Sequence, residues 1–315
     1  MDLSVVVPIY NEEENVNQLY SKVTASLEPI GFEYELIFVD DGSGDRSFLL
    51  LNDIAKQDSR VKLIRFRRNF GQTAAMSAGF DAASGRVVIP MDGDLQNDPD
   101  DIPLLMTKID EGYDVVSGWR KYRKDTFINR KLPSMIANGL ISRLTEVHLH
   151  DYGCTLKAYR REVLEGINLY GEMHRFVPAL ASQVGAKVTE IPVKHHPRLF
   201  GKSKYGISRT VRVVLDLMTV KFLLGYSTKP IQLFGRWGVY TIMASFITGL
   251  ATIYMKFFQH TNMNRNPLLI LTAFLIFMGV QFIVLGLLGE LNARTYYEAQ
   301  GKPTYVVRER VNFEE

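Results

Sequence analysis

Short apolar runs alternate with amphipathic ones along the first half of the chain. Leu3 to Val7, Glu35 to Val39, Val61 to Phe66, Arg86 to Met91 and Asp114 to Gly118 are rich in β-branched and aromatic residues and predict strands. Between them Glu12 to Leu27, Ser47 to Gln57 and Thr73 to Ala83 carry apolar positions at helical spacing. This alternation predicts an α/β domain on a mostly parallel sheet with helices on both faces. Ligands of such sheets gather beyond the carboxyl ends of the strands, where the pairs Asp40-Asp41 and Asp92/Asp94 both fall.

The pattern changes in the C-terminal third. Positions 238 to 255 carry no charge, and neither do 266 to 289. Each is close to the roughly 20 residues a helix needs to cross the hydrocarbon core. Two spans joined by a short connection, Lys256 to Arg265, are therefore expected. Before them, Arg198 to Arg236 holds eight Lys/Arg against the single acid Asp216, with apolar residues interleaved. That composition suits amphipathic helices lying in an anionic headgroup layer. The positive-inside rule then puts the N-terminal domain and the C-terminal tail in the cytoplasm and Phe257 to Arg265 outside. The expected divisions are 1–205, 206–232, 233–289 and 290–315: a cytoplasmic catalytic domain, interface helices, a two-helix transmembrane hairpin and a cytoplasmic tail.

Composition narrows the classes further. A net charge of +3 over 315 residues excludes a bulk polyanion binder, so no nucleic-acid partner is expected. The single cysteine, Cys154, excludes an intramolecular disulfide and a cysteine-cluster zinc site. Asp2 after Met1 rules out N-myristoylation, and the opening residues look like a first strand in place of a secretory signal.

Met91-Asp92-Gly93-Asp94-Leu95-Gln96 directly follows a predicted strand. An Asp-x-Asp pair there aims two hard oxygen ligands at one point, where a divalent cation neutralises a diphosphate. Asp40-Asp41-Gly42-Ser43-Gly44 lacks the third glycine of a dinucleotide fingerprint, with Ser47 at that position. Its carboxylates suit hydrogen bonds from a base N–H and ribose hydroxyls; an acidic turn capping the next helix is the plainer alternative. His148 and His150, without paired cysteines, read as loop or strand residues more readily than as metal ligands.

Pro8-Ile9-Tyr10-Asn11-Glu12, Val39-Asp40-Asp41-Gly42-Ser43, Arg68-Asn69-Phe70-Gly71-Gln72 and Asp92-Gly93-Asp94-Leu95-Gln96 occur in an order that resembles inverting family 2 glycosyltransferases of the GT-A fold. Gly118-Trp119-Arg120, Arg130-Lys131-Leu132-Pro133-Ser134, Asp151 to Lys157 and Gly201-Lys202-Ser203-Lys204-Tyr205 resemble the polyprenyl-phosphate branch. That branch includes dolichyl-phosphate mannose synthases and bacterial bactoprenol glucosyltransferases used in O-antigen modification. The resemblance implies a donor nucleotide held by Pro8, Tyr10, Glu12, Asp40, Asp41, Asp92 and Gly93. It implies Mg²⁺ or Mn²⁺ on Asp92, Asp94 and Gln96, and an acceptor phosphate on Arg120, Arg130, Ser134, Arg198 and Lys202. Asp94 and Asp151 are the implied catalytic residues. The acceptor phosphate has a second pKa near ~6 and is largely an oxyanion at neutral pH, so positioning is as good a role for Asp151 as general base.

The implied reaction is transfer of one hexose, glucose first, from UDP-glucose to undecaprenyl phosphate at the bacterial inner membrane. GDP-mannose or a UDP-aminosugar are alternative donors, and a non-catalytic scaffold or flippase component is the alternative of another class. Gln232-Leu233-Phe234-Gly235-Arg236-Trp237 departs by one residue from the Gln-x-x-Arg-Trp of processive synthases. Arg236 and Trp237 then read as interfacial anchors. The strand-like Thr304 to Arg308 is expected to pair with a neighbouring subunit if the protein forms homo-oligomers.

Overall fold

The computed structural model describes residues 1–121, 138–139, 142, 145, 147–165, 167, 169, 173–197, 230–259, 266–299 and 305–313. They fall into two compact units, one drawn from Met1–Val220 with Pro303–Glu315 and the other from Lys221–Lys302.

The first unit is built on an eight-stranded sheet. Its strands are β1 (Leu3–Ile9), β2 (Tyr34–Asp40), β3 (Val61–Phe66), β4 (Val87–Pro90), β5 (Val115–Trp119), β6 (Lys157–Arg160), β7 (Val188–Pro192) and β8 (Val307–Val311), in the spatial order β7-β5-β6-β4-β1-β2-β3-β8. Helices α1 (Val16–Leu27), α2 (Ser47–Gln57), α3 (Gln72–Ala82), α4 (Ile102–Asp110) and α5 (Val177–Gln183) connect them. All seven residues of β2 are buried, as a strand covered on both faces requires. Leu36 and Phe38 on β2 share one core with Leu19 and Val23 of α1 and Leu105 and Ile109 of α4. Each such side chain contributes about 1.5–3 kcal/mol by leaving water.

The sheet is mixed more than the strand pattern predicts. The pairs β1–β2, β1–β4, β2–β3 and β5–β7 are parallel, whereas β4–β6, β5–β6 and β3–β8 are antiparallel. Strand β6 reads Lys-Ala-Tyr-Arg, too short and too charged to announce itself, yet it wedges between β4 and β5. Helix α1 begins at Val16 instead of Glu12, because the backbone N–H groups of Glu12 and Glu13 donate to Ser47 Oγ and Asp45 Oδ2 across the β2–α2 loop.

The tail returns to the sheet. Its strand runs Val307–Val311 and pairs antiparallel with β3 of the same chain. Tyr305 stacks on Phe66 with ring centroids 5.1 Å apart, and its hydroxyl donates to Asp81 at 2.9 Å. Residues 305–313 therefore belong to the sheet, whereas 290–315 was expected to be a separate tail. An edge strand whose open side needs a partner finds the nearest one in its own chain.

The second unit is a helical hairpin, α6 (Pro230–Phe258) and α7 (Pro267–Ala299). Phe234–Phe258 and Pro267–Gly289 are long and apolar enough to cross a membrane. Phe246 and Ile270 are 70% and 75% exposed, the reverse of a soluble protein's core helices. Between the helices, Thr272 Oγ1 donates to Thr248 Oγ1 at 2.9 Å, an interhelical hydrogen bond that suits an apolar surround.

Candidate active site at the carboxyl end of the sheet

Three loops leaving β1, β2 and β4 meet beyond the sheet. After β1, Asn11 takes a left-handed φ of 53°. Its N–H donates to Ser43 Oγ at 3.0 Å, and its side-chain oxygen accepts from Gly44 N at 2.8 Å. Pro8 and Glu12 are half-buried on this seam and Tyr10 is exposed. Gly42 has φ 68°, and a Cβ there would lie 2.5 Å from the backbone of Arg68. Only glycine lets the loop after β2 lie this close to Arg68-Asn69-Phe70-Gly71-Gln72.

Asp40 and Asp41 are both buried. Asp41 accepts from Phe70 N at 2.7 Å and Gly71 N at 2.9 Å. Burial raises its pKa, against the pull of those two amides. Asp40 Oδ1 accepts from Ser43 N, while Oδ2 lies 3.7 Å from Arg65 Nε and makes no hydrogen bond among the described residues. Burial raises the Asp40 pKa as well. Two buried carboxyl groups beside one loop are a strong acceptor surface for neutral N–H and O–H donors.

The Asp92–Gln96 turn crosses over Ile9, where a Cβ on Gly93 would lie 2.6 Å from Ile9 Cδ1. Asn97 Oδ1 accepts from Asp92 N at 3.0 Å, and Asp94 Oδ1 accepts from Gln96 N at 3.2 Å. Gln72 Nε2 donates to Asp92 Oδ1 at 2.9 Å, so the loop that holds Asp41 also holds Asp92. Burial, then the charge of Asp94, raises the Asp92 pKa. A carboxylate whose ionisation is opposed by burial and by a neighbouring carboxylate is part of a donor set that a hard divalent cation relieves. Among the described residues no third His, Cys, Asp or Glu completes a cage. The pair therefore fits Mg²⁺ or Mn²⁺ sharing its remaining positions with substrate oxygens and water. Gln96 Nε2 lies 3.4 Å from the His196 carbonyl, and His196 N donates to the Gln96 carbonyl at 2.9 Å.

Asp151 lies 59 positions beyond Asp92 in sequence. Arg120 Nε reaches Asp151 Oδ2 at 2.7 Å and Nη2 reaches Oδ1 at 2.9 Å. Gly153 N and Arg120 N also donate to this carboxylate. Burial alone would raise the Asp151 pKa, but the Arg120 hydrogen bonds and charge hold it below the usual carboxylate range. This geometry suits a positioning group better than a proton acceptor. It also commits one edge of the Arg120 fork, expected on the acceptor phosphate, to Asp151. His150 lies in a loop, as its sequence context suggests, stacked on Trp119 at 4.3 Å and paired with Glu190. Arg130, Ser134, Arg198 and Lys202 lie outside the described residues.

Pattern reading gave no individual role to Gln72, Thr155 and Lys157, which lie inside the motifs quoted above, and did not name His174. The Thr155 side chain works against burial to lower the Asp92 pKa, and Thr73 Oγ1 meets His174 Nδ1 at 2.7 Å. No local signal gives the partner of Gln72 or His174, since each acts on a group distant in sequence.

A Rossmann-like mixed sheet with an Asp-x-Asp turn beside two further buried carboxylates defines a transferase of the GT-A type. Residues 4–167 match Glycosyl transferase family 2, and the chain belongs to that family. Dodecaprenyl-phosphate galacturonate synthase of Rhizobium johnstonii is 43% identical over 98% of this chain and 93% of its own length. An undecaprenyl-phosphate 4-deoxy-4-formamido-L-arabinose transferase of Enterobacter sp. is 36% identical over 98% of this chain and 94% of its own length. In fold, the chain resembles glucosyl-3-phosphoglycerate synthase from Mycobacterium tuberculosis, solved with Mn²⁺, UDP and phosphoglyceric acid. The TM-score is 0.56 at 18% identity, covering 71% of this chain and 78% of that one. The reaction class that follows from the family is glycosyl transfer.

Proposed function

We propose that the protein transfers a single glycosyl residue from a UDP-sugar to undecaprenyl phosphate on the cytoplasmic leaflet of a bacterial inner membrane, with inversion. The observation that carries this reading is the Asp92/Asp94 pair at the end of β4, joined through Gln72 to the Asp41 loop, in a chain similar along almost its whole length to polyprenyl-phosphate sugar transferases. An acceptor phosphate oxygen attacks the donor C1, the bond from C1 to the diphosphate breaks, and UDP leaves. Asp92 and Asp94, with Gln96, would hold Mg²⁺ or Mn²⁺, which when bound neutralises charge on the diphosphate. Asp40 and Asp41 accept from the nucleoside. Asp151 orients Arg120, whose remaining N–H donors face the acceptor phosphate with Arg130 and Ser134; Arg198 and Lys202 supply further positive charge.

The motif resemblance favours glucose as the sugar. The name of the Rhizobium relative favours a galacturonosyl donor, and at 43% identity over nearly the full chain we give that donor precedence. A screen of UDP-galacturonate, UDP-glucose and GDP-mannose with undecaprenyl phosphate, reading nucleotide release and lipid product, tests the proposal. Lipid-linked product with a UDP-sugar is expected. Absence of product from every nucleotide sugar by folded, membrane-reconstituted protein would leave the scaffold alternative standing.

A further inference from the structure

The loop after β3 holds the Asp41 carboxylate through the backbone N–H groups of Phe70 and Gly71, at 2.7 and 2.9 Å. Where that loop lies therefore decides where Asp41 is aimed. Its own residues give it little burial: Arg67, Arg68 and Asn69 are exposed, and Phe70 and Gly71 are half-buried. Its placement depends on its neighbours.

One neighbour is the Gly42 turn, which leaves no room for a Cβ beside the Arg68 backbone. The other is the C-terminal tail. Arg67 N donates to the Val306 carbonyl at 3.2 Å, so pairing with the tail runs past Phe66 into the loop itself. Tyr305 is buried and lies flat on Phe66, with ring centroids 5.1 Å apart and an interplanar angle of 17°. Phe66, also buried, meets Phe70 edge-on at 5.6 Å and 87°. The Tyr305 hydroxyl donates to Asp81 Oδ2 at 2.9 Å, which pins the ring to α3, the helix that opens at Gln72 directly after the loop. Stacked and edge-on ring pairs are attractive only in a narrow range of orientations, so each ring in this series fixes the next. The series ends on the residue whose N–H binds Asp41.

We infer that Tyr305 is a positioning residue for the donor site, acting through Phe66 and Phe70 to hold the loop that aims Asp41. This rests on the proposed donor site. The nucleotide half of that site is thus completed by a residue that follows both apolar helices in sequence.

The test compares wild type, Tyr305→Ala, Tyr305→Phe and Asp41→Ala in the full-length reconstituted protein, by calorimetric binding of UDP with Mn²⁺ and by the KM for UDP-sugar and for undecaprenyl phosphate. Tyr305→Ala should weaken UDP binding about fivefold or more at unchanged stoichiometry, raise the donor KM to match, and leave the acceptor KM within about twofold. Tyr305→Phe keeps the ring and should bind UDP within about twofold of wild type. Partial unfolding would instead lower the stoichiometry and leave the Kd of the remaining sites unchanged. That result, wild-type UDP affinity in Tyr305→Ala, or a loss as large in Tyr305→Phe as in Tyr305→Ala would overturn the inference. If Tyr305→Ala does not fold, Tyr305→Leu decides: it fills the space without a ring, so weaker UDP binding at full stoichiometry is expected and wild-type affinity would overturn the role. Asp41→Ala separates the two levels. Wild-type UDP binding in Asp41→Ala would overturn the donor-site reading and this inference with it, whereas loss of UDP in Asp41→Ala alone would overturn only the role of Tyr305.

Discussion

Arg120 and Asp151 form a two-pronged ion pair, Nε to Oδ2 at 2.7 Å and Nη2 to Oδ1 at 2.9 Å, with side chains only 14% and 9% exposed. Removing one partner strands a buried charge, which costs about 3–5 kcal/mol. Arg120→Ala should therefore lower Tm measurably in detergent. The Asp151 pKa is depressed in the folded protein. The pair's contribution is thus fully present above the unfolded carboxylate value of about 3.9 and is lost as pH falls through the lower folded value. The Tm difference between wild type and Arg120→Ala should be constant from neutral pH down to about 5 and shrink in stronger acid. A difference that grows on acidification would refute the pairing.

Gln72 donates to Asp92, so it should govern metal affinity more than the chemical step. Gln72→Ala is expected to weaken apparent Mn²⁺ affinity about 10–100-fold, the usual effect of losing a group that orients a ligand, with transfer recovering at saturating metal. Asp94→Asn removes an anionic ligand itself and should not recover. Metal titrations of transfer separate the two cases. Full activity of wild type after verified metal stripping would remove the metal from the scheme.

Strand β8 closes the β3 edge, and Asn312 Nδ2 donates to the carbonyls of Ala55 and Val61 at 2.6 and 2.8 Å. Ending the chain after Lys302 should expose that edge and the Phe66 ring. The truncated protein should melt lower and show concentration-dependent association by light scattering. A melt equal to wild type would mean that β8 is dispensable to the sheet.

Charge asymmetry between Arg198 to Arg236 and Lys256 to Arg265 sets the proposed orientation. In a Cys154→Ser background, a cysteine at Asn264 should react with an impermeant reagent from outside, and one at Gln300 only after the cytoplasmic face is opened. Reaction of both from one side would require that at least one helix does not span.

Local patterning by itself determined the strands β1 to β5, the helices α2 and α3 to within a residue, the two apolar spans and the Asp-x-Asp turn. These are features that period, turn chemistry and charge-free length encode over a few neighbouring residues. Tertiary structure alone decided the insertion of β6 between β4 and β5, the return of β8 to β3, and the clasp of Arg120 on Asp151 across 31 positions. The same holds for Gln72 on Asp92. Each joins groups far apart in the chain, and their pairing comes from burial: a polar group shut off from water must find a partner wherever the fold brings one.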